Sequence, residues 1–477
     1  MPRSVIALLW KSLVTGILAL VASQSFGAPQ VTGSAFLAGL QSHKGEVDRF
    51  LYINRYIDSH SGPDQNLAKQ FLAFSENELG LYSEALRDFP MRNELPPKVS
   101  LPLSDDWRAV DAVQAIAASA VGRRIVMVNE VHHDAHTRLL TLQLLPVLRK
   151  AGFKYFAAEA LTKDMGHLLT TGYPTRASGS EYIQEPIYGD ILREAVRLGF
   201  ILIPYEADSS DPEVRDSEQA RNIFRKTFAK DPDARVFVHA GYAHIDKIVG
   251  RLGNSVRPMA MELAALSGYS PLSIDQSDVR EDSPQAELRS LRAASRQVEN
   301  SRVKFDPAFI SLLRTAKKAE VDPYHQIIDR FHPGEPVVLE SKAGTYWSAR
   351  PRAYDMNVVL PLSNKFESNY DLGPIYLENG NERTLVLPPA NGGNRPVWLT
   401  INGGRRAIGI DAGECRGALP CLVEARYGGE PSDAVSADRY LFLRRGQKSS
   451  LFLWPGQYRI EASSVSGETV ARTVIVQ

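Results

Sequence analysis

The sequence predicts an α/β fold with a mainly parallel sheet and flanking helices. Short, continuously apolar runs occur at 124–129, 154–158, 200–204 and 235–239, and helical patterns separate them. Continuous apolar runs are typical of strands that are buried on both faces. Strands that alternate with helices form right-handed βαβ units, and such units build parallel sheets.

The elements around these four strands follow from the same patterns. Four helices are predicted between and after the strands, at 136–151, 188–198, 214–229 and 244–252. Two later apolar runs, Pro271 to Ile274 and Pro336 to Leu339, are predicted to extend the sheet. The segment from Asp278 to Lys304 is charged and rich in Ser and Arg, which indicates an insertion or a mobile connection.

The two ends of the chain differ from this α/β pattern. From Val31 to about Asn93, apolar residues recur at helical spacing, so we expect a helical hairpin that packs on the α/β unit. After about Gly380, short β-branched or aromatic runs alternate with turn residues, which predicts a β-sandwich-like accessory domain for stability or docking. Its strands are predicted at 397–401, 407–410, 422–427, 439–443, 449–454, 457–462 and 469–476.

The length of 477 residues predicts more than one domain, since single cores stop growing at roughly 250–300 residues. The predicted units are a signal peptide at 1–27, a helical segment at 28–100, an α/β domain with the site at 101–380, and a β-rich domain at 381–477.

The predicted signal peptide rests on positive charge from Arg3 and Lys11 and on the apolar segment 12–23. This segment is shorter than the roughly 20 residues that a membrane span needs. We therefore expect an exported protein, periplasmic or secreted, that keeps no stable membrane span after cleavage behind Gly27; an uncleaved anchor is the alternative.

Charge and cysteine content narrow the class of protein. The 55 basic and 55 acidic residues balance, which gives no electrostatic argument for a nucleic-acid partner. The two cysteines, Cys415 and Cys421, are close in sequence, and in an exported chain this favours a disulfide bond. A metal site is the alternative, but two thiols alone do not make one.

Carboxylate and imidazole side chains follow three of the predicted strands. In open parallel sheets ligands bind outside the carboxyl ends of the strands, so these side chains should share one site. Glu and His can activate a water and protonate a leaving group, or they can bind a divalent metal, and the spacing leaves both possibilities open. The candidates are Glu130, His132, His133, Glu159 and His244, with His136 and His239 nearby and Glu206 and Asp208 as rim or helix-capping residues.

The segment from Glu130 to His133, followed by a helix and a strand that ends in Glu159, resembles a known superfamily. It contains the erythromycin esterases, the ChaN-like haem-binding uptake proteins and, more remotely, the Tiki/TraB metalloproteases. The helix from Ser217 to Ala229, with Arg221 and Asn222, and the run from Asp233 to His244 that follows it together resemble the closing Gly-x-x-His element of that group. The resemblance covers roughly residues 121–263.

The resemblance implies a role for each matching position. Glu130 matches the acidic residue of the first motif, Glu159 the glutamate after the second strand, and His244 the final histidine. Either His132 or His133 matches the histidine of the first motif, because branches of the group place it differently. Asn129 stands where the family usually has Gly, so the local turn is expected to differ.

The leading functional hypothesis is an exported hydrolase that acts on an ester, lactone or amide of a small molecule or peptide. A histidine and Glu159 would deprotonate water, and His244 would donate to the oxyanion or the leaving group. Arg138 would anchor an anionic substrate group or stabilise an oxyanion, with an ordinary solvated arginine as the alternative.

Two other hypotheses stay open. One is a ChaN-like protein that binds haem or a divalent metal without turnover; its haem ligands would come from Tyr242, His244, His132 and His133, and its metal ligands from His132, His133, Glu159 and His244. The other is a non-catalytic scaffold that keeps the fold without activity and works through its helical and β-rich flanking regions.

Overall fold

The computed structural model describes residues 33–91, 95–96, 99–209, 211–281, 322–363, 371–376, 382–387, 395–464 and 469–477. The predicted signal peptide and most of the charged segment 278–304 therefore lie outside the described residues. In the part of the chain that the structure describes, no helix is both long and apolar enough to cross a membrane.

An eight-stranded sheet forms the centre of the molecule. Its strands are β1 (Trp107–Asp111), β2 (Ile125–Glu130), β3 (Tyr155–Ala158), β4 (Ile201–Pro204), β5 (Val236–Gly241), β6 (Leu272–Asp275), β7 (Val337–Ser341) and β8 (Met356–Val359). Their order is β1-β7-β8-β6-β2-β5-β3-β4. Only β7 pairs antiparallel with its neighbours β1 and β8 within this described sheet. The predicted α/β class with a mainly parallel sheet is confirmed, as are the predicted strands β2 to β7.

Eleven α-helices lie in the described residues. They are α1 (Ser34–Ser42), α2 (Glu46–Ser59), α3 (Gly62–Glu78), α4 (Tyr82–Asp88), α5 (Ala112–Ser119), α6 (His136–Lys150), α7 (Gly166–Thr171), α8 (Pro186–Arg197), α9 (Pro212–Lys226), α10 (Met259–Ser267) and α11 (Pro323–Phe331).

Helices cover both faces of the sheet. Val126 and Val128 of β2 belong to one hydrophobic cluster with residues of α5, α6 and α8. Ile125 and Met127 belong to a second cluster with residues of α9 and α10. Because successive strand residues point to opposite faces, a continuously apolar strand is what a sheet between two helical layers requires.

Two predicted elements are wrong. Residues 244–252 form no α-helix; a short 3-10 turn at Tyr242–Ile245 is followed by a loop in which Gly250 and Gly253 have φ angles of 136° and 115°. The predicted strand at 397–401 is a 3-10 turn, Val397–Thr400, that follows Pro396. It ends at Ile401, whose φ of 43° is incompatible with an extended strand.

The C-terminal region is antiparallel, as predicted in outline. Its strands are β9 (Asp371–Tyr376), β10 (Glu382–Leu387), β11 (Arg406–Asp411), β12 (Cys421–Tyr427), β13 (Asp438–Phe442), β14 (Lys448–Leu453), β15 (Gly456–Ser464) and β16 (Thr469–Val476). They form a four-stranded sheet, β13-β12-β15-β16, and two pairs, β9 with β10 and β11 with β14. The predicted disulfide between Cys415 and Cys421 is present, with a Cα–Cα distance of 5.9 Å.

The N-terminal helices share their core with this C-terminal sheet. Phe71 and Leu72 of α3 belong to the same hydrophobic cluster as Tyr440 and Leu441 of β13. The Leu441 backbone N–H donates to the Leu79 carbonyl at 3.2 Å. The helices also contact the α/β unit as expected, since Asn77 Nδ2 donates to the His132 carbonyl and the Tyr82 hydroxyl to Glu185, but much of their apolar face is covered by strands from the other end of the chain.

Buried charges line the same junction. Glu78, at the end of α3, is 7% exposed and lines a cavity whose empty volume is about 360 Å³, together with Arg49 and Glu181. Burial, reinforced by the neighbouring Glu181, raises the pKa of Glu78 to about 8. The folded protein therefore holds a proton at Glu78 that the unfolded chain releases near pH 4.5.

Replacing Glu78 with glutamine should stabilise the protein at pH 8 by about 1–2 kcal/mol and change little at pH 4.5. A carboxyl whose pKa is raised by folding contributes its full stability below the unfolded pKa and loses it as the pH rises toward 8. Melting temperatures at the two pH values measure the effect, with the exposed Glu213→Gln as control. A variant that is no more stable than wild type at pH 8 would contradict the assignment.

Candidate active site

Three adjacent strands end side by side and place the candidate residues together. Strand β5 lies between β2 and β3, with Glu130 opposite Gly241 and Ala158 opposite His239. Glu159, the residue after Ala158, donates its backbone N–H to the His239 carbonyl at 3.2 Å. The carboxyl ends of these strands therefore form one edge that carries the carboxylates and imidazoles.

The first group is a carboxylate–imidazole pair held by an arginine. Glu130 Oε1 lies 2.7 Å from His132 Nδ1, and Glu130 Oε2 accepts a hydrogen bond of 2.5 Å from Arg138 Nε. His239 Nε2 lies 3.4 Å from the same Oε2. Burial alone would raise the pKa of Glu130, but Arg138, His132 and His239 together lower it well below its usual range. Glu130 is therefore an anion that fixes the His132 ring through Nδ1.

Arg138 is not a solvated helix residue. Its side chain is fully buried, and Nη1 donates to Glu185 Oε2 at 3.1 Å. Glu185 in turn accepts from the Tyr82 hydroxyl at 2.9 Å and from two backbone N–H groups that begin α8. With Glu130 and Glu185 as its partners, Arg138 positions Glu130 and is not directed at a substrate.

The second group contains His244, Glu159 and two residues of α9. Asp216 Oδ1 lies 2.9 Å from His244 Nδ1, and Arg215 Nη1 donates to His244 Nε2 at 2.8 Å. Arg215 Nη2 also donates to Glu159 Oε1 at 2.5 Å and to Glu206 Oε2 at 2.6 Å. His244 is thus a second imidazole whose Nδ1 is fixed by a carboxylate.

The two groups converge at Gly241. Glu159 Oε2 accepts the Gly241 backbone N–H at 2.6 Å. A Cβ added at Gly241 would lie 2.6 Å from His132 Nε2 and 3.2 Å from Glu159 Oε2. Only glycine lets the His132 ring approach this backbone, and the absence of a side chain keeps Nε2 and the Glu159 carboxylate on one side of β5.

The pKa values of the second group follow from these contacts. Burial would raise the pKa of Glu159, but His244, Arg215 and the Gly241 N–H lower it to about 2. Burial lowers the pKa of His244, whereas Asp216 and Glu159 raise it, and the result lies above the ordinary value. The Arg215 contact needs an unprotonated Nε2, so proton uptake by His244 requires Arg215 Nη1 to withdraw.

The structure distinguishes the three clustered histidines by position. His132 stacks on Tyr182 with ring centroids 4.1 Å apart and faces Gly241. His133 stacks on Phe89 at 3.5 Å, and its Nδ1 lies 3.4 Å from the Tyr242 hydroxyl. His136 stacks on Trp398. Of these three, His132 is the one brought beside Glu130, Glu159 and Gly241.

Asn129, the residue expected to change the local turn, keeps an extended backbone within β2. Its side chain donates to Asp275 Oδ1 at 2.6 Å and to the Tyr242 carbonyl at 2.9 Å. It also accepts from the Gln276 backbone N–H at 2.7 Å. Asn129 thereby ties the end of β2 to the end of β6, and it supports Tyr242, whose φ of 43° is strained for a residue with a side chain.

The described residues offer no ready-made set of metal ligands. Among the described residues, no group of three or more His, Cys, Asp and Glu side chains is arranged to hold a metal ion. The Glu159 carboxylate and His244 Nε2 already face Arg215, a cation that competes with any metal for them. Tyr242 and His133 contact each other and line neither of the two described cavities.

The aromatic wall beside His132 separates the site from the cavity near Glu78. Tyr182 stacks on His132, and Phe74 lies with its ring centroid 6.3 Å from that of His132. Both aromatic residues also line the 360 Å³ cavity together with Leu40, Ile53 and Phe71. The two rings therefore lie between the His132 imidazole and this cavity.

Sequence reasoning missed Arg215, Asp216 and Glu185. Asp216 could have been found, because Asp216, Ala220 and Ile223 follow helical spacing and share the buried face of α9. An acidic residue on an apolar helix face needs a partner. Glu206 was proposed as a rim residue and is held by Arg215, whereas Asp208 pairs with Lys163 on the exposed surface.

Comparisons with known proteins add little to this geometry. Neither a protein-family model nor a curated protein matches the sequence. Two solved structures described as bacterial protein toxins match 51% of the chain at 15% and 16% identity, with TM-scores of 0.27 and 0.28. RRSP, a MARTX toxin effector domain from Vibrio vulnificus CMCP6, matches 51% at 16% identity with a TM-score of 0.24. The chain spans about half the length of each of these structures, and we draw nothing about its activity from them.

Proposed function

We propose that this protein is an exported hydrolase of an ester, lactone or amide, related to the erythromycin esterase and ChaN-like group. The observation that carries the proposal is the pair of imidazoles, His132 and His244, each with Nδ1 held by a carboxylate and both directed toward Glu159. A carboxylate on Nδ1 fixes the tautomer of each ring and leaves Nε2 of His132 for proton transfer, which is the arrangement that hydrolytic general bases use, whereas Nε2 of His244 is held by Arg215.

His132 is the proposed general base. Its Nδ1–H donates to Glu130, so the unprotonated Nε2 lies next to the Glu159 carboxylate at Gly241. A water held by Nε2 and Glu159 would lose its proton to His132 as its oxygen bonds to the substrate carbonyl carbon. The proton would pass to the leaving oxygen or nitrogen when the bond to that atom breaks, which regenerates the neutral imidazole.

Positive charge for the developing oxyanion would come from the second group. Arg215 is buried and its pKa lies well above the usual value, because Glu206 and Glu159 outweigh the effect of burial. A proton on His244 Nε2, which Asp216 favours, would add a hydrogen-bond donor at the same edge. Preorganised donors of this kind stabilise a tetrahedral intermediate in a site that excludes water.

Hydrolysis of aryl esters, lactones and short peptide amides by the purified full chain tests the proposal. His132→Ala should lower kcat/KM by at least about 100-fold, since a positioned general base contributes roughly that much. The matched control is His167→Ala, an exposed histidine of α7, which should leave turnover unchanged.

Three results would overturn the proposal. The first is the absence of hydrolysis with all three substrate classes, and the second is turnover that His132→Ala leaves intact. The third is stoichiometric haem or metal in the purified protein, found by absorbance and elemental analysis and lost in His132→Ala/His244→Ala without any accompanying hydrolysis. This third result would support the binding-protein alternative.

A further inference from the structure

A cationic cleft lies along α9, next to the edge strand β4. It has a volume of about 240 Å³. This lies just below the range of small-molecule sites, roughly 300–1,000 Å³, so the cleft suits a compact ligand. Its charged lining residues are Lys163, Arg221, Arg225, Lys226, Asp208 and Glu218. Four cations thus face two carboxylates, so the cleft carries an excess of positive charge in a protein whose formal net charge is zero.

The excess charge is concentrated on two arginines. Asp208 is engaged by Lys163 Nζ, with distances of 2.8 and 2.6 Å to its two oxygens. Among the described residues, neither Arg221 nor Arg225 forms a hydrogen bond or an ion pair. They lie one helical turn apart on α9, where two like charges destabilise a helix unless an anion comes between them.

One side of the cleft, formed by Asn222 and Lys226, is held by hydrogen bonds to the backbone at the end of β4 and just after it. Asn222 Nδ2 donates to the Tyr205 carbonyl at 3.1 Å and to the Glu206 carbonyl at 3.4 Å. Lys226 Nζ donates to the Pro204 carbonyl. No carboxylate among the residues that the structure describes pairs with Lys226, and burial together with Lys163 and Lys230 lowers its pKa. The cleft is thus a shaped surface with a third cation beside the two arginines.

We propose that this cleft binds a small phosphate-bearing molecule, with the phosphate between Arg221 and Arg225. Guanidinium groups bind phosphate oxygens in bidentate geometry, and the remaining volume accommodates the organic part of the ligand. Asn222 lies two turns beyond Arg215 on α9, about 10 Å along the helix axis. The cleft is thus a separate binding site close to the candidate active site, and it does not depend on the hydrolase assignment.

Isothermal titration of the full chain with inorganic pyrophosphate at low salt tests the site. Arg221→Ala/Arg225→Ala should weaken binding at least tenfold and leave the melting temperature close to wild type, since both side chains are exposed. The control is Arg352→Ala/Arg445→Ala, which removes the same charge from two exposed arginines elsewhere and should bind as wild type does.

Three results would overturn the proposal. The first is no binding of pyrophosphate at millimolar concentration. The second is equal weakening in the cleft variant and in the control, which would mean nonspecific attraction. The third is binding to phosphatidylglycerol vesicles without binding of pyrophosphate, which would assign the cleft to a membrane surface and not to a soluble ligand.

Discussion

Replacing Arg138 with methionine should lower the free energy of unfolding by about 3–5 kcal/mol, the usual cost of leaving a buried charge without its partner. The substitution keeps the length of the side chain but removes the cation between Glu130 and Glu185, which are 2% and 0% exposed. Both carboxylates would then have to be protonated or reached by water. Urea denaturation at pH 7 measures the loss.

The control for Arg138 is an arginine–glutamate pair of similar geometry at the surface. Arg197 donates to Glu194 at 2.6 Å on the exposed side of α8. Since exposed pairs contribute little, Arg197→Met should cost below about 1 kcal/mol. Adding Glu130→Gln to Arg138→Met should recover part of the stability, because one uncompensated charge is removed. Equal effects of Arg138→Met and Arg197→Met would contradict the role of Arg138 as a buried counter-ion.

Local patterns predicted most of the central sheet. The strands β2, β3 and β5 are buried along their length and β4 is buried except at Ile201, so each carries an apolar run that stands out from the polar segments around it. The same rule failed for β1, whose residues are partly exposed at the sheet edge and whose pattern is mixed. Strand β8 was missed as well, although Met356–Val359 is buried, because Asn357 interrupts the apolar run.

Pairing across long sequence distances could not be predicted. The core shared by α3 and β13 joins residues more than three hundred positions apart, and nothing in either amphipathic segment specifies its partner. Apolar faces predict burial but not what covers them, which is why the contact between the N-terminal helices and the C-terminal sheet was missed.

The candidate site was predictable to the extent that it lies at strand ends. Glu130, Glu159 and His244 meet because β2, β3 and β5 are neighbours, and their positions in sequence already placed them at one edge. The choice between His132 and His133 depends on which ring faces Gly241, a property of local backbone geometry that two adjacent histidines do not reveal. Arg215 and Asp216 come from a helix, where no strand-end rule applies.

Replacing Glu159 with glutamine should lower turnover by about 100- to 10,000-fold while the fold is retained, if Glu159 holds and polarises the attacking water. Glutamine can still accept the Gly241 N–H, and Arg215 keeps Glu206 as its partner, so the protein should still fold at pH 7, although it loses the stability that the ionised carboxylate contributes. Steady-state kinetics and a thermal melt on the same preparation separate the two effects.

Glu206→Gln is the matched control for Glu159→Gln. Both substitutions remove one carboxylate from Arg215, but Glu206 contacts Gln219 of α9, whereas Glu159 contacts Gly241 beside His132. Turnover that falls equally in both variants would mean that Glu159 acts only through Arg215 and does not touch the reacting water.

The pH dependence of stability provides a second test of Glu159. Its folded pKa of about 2 is lower than that of an unfolded glutamate, so its contribution is present above about pH 4.5 and is lost as the pH falls toward 2. Glu159→Gln removes this contribution at neutral pH, and the variant should therefore lose less stability than wild type between pH 4.5 and 2.5. Parallel losses in the two proteins would show that Arg215 and His244 do not hold Glu159 ionised, and the water-activating role would lose its electrostatic basis.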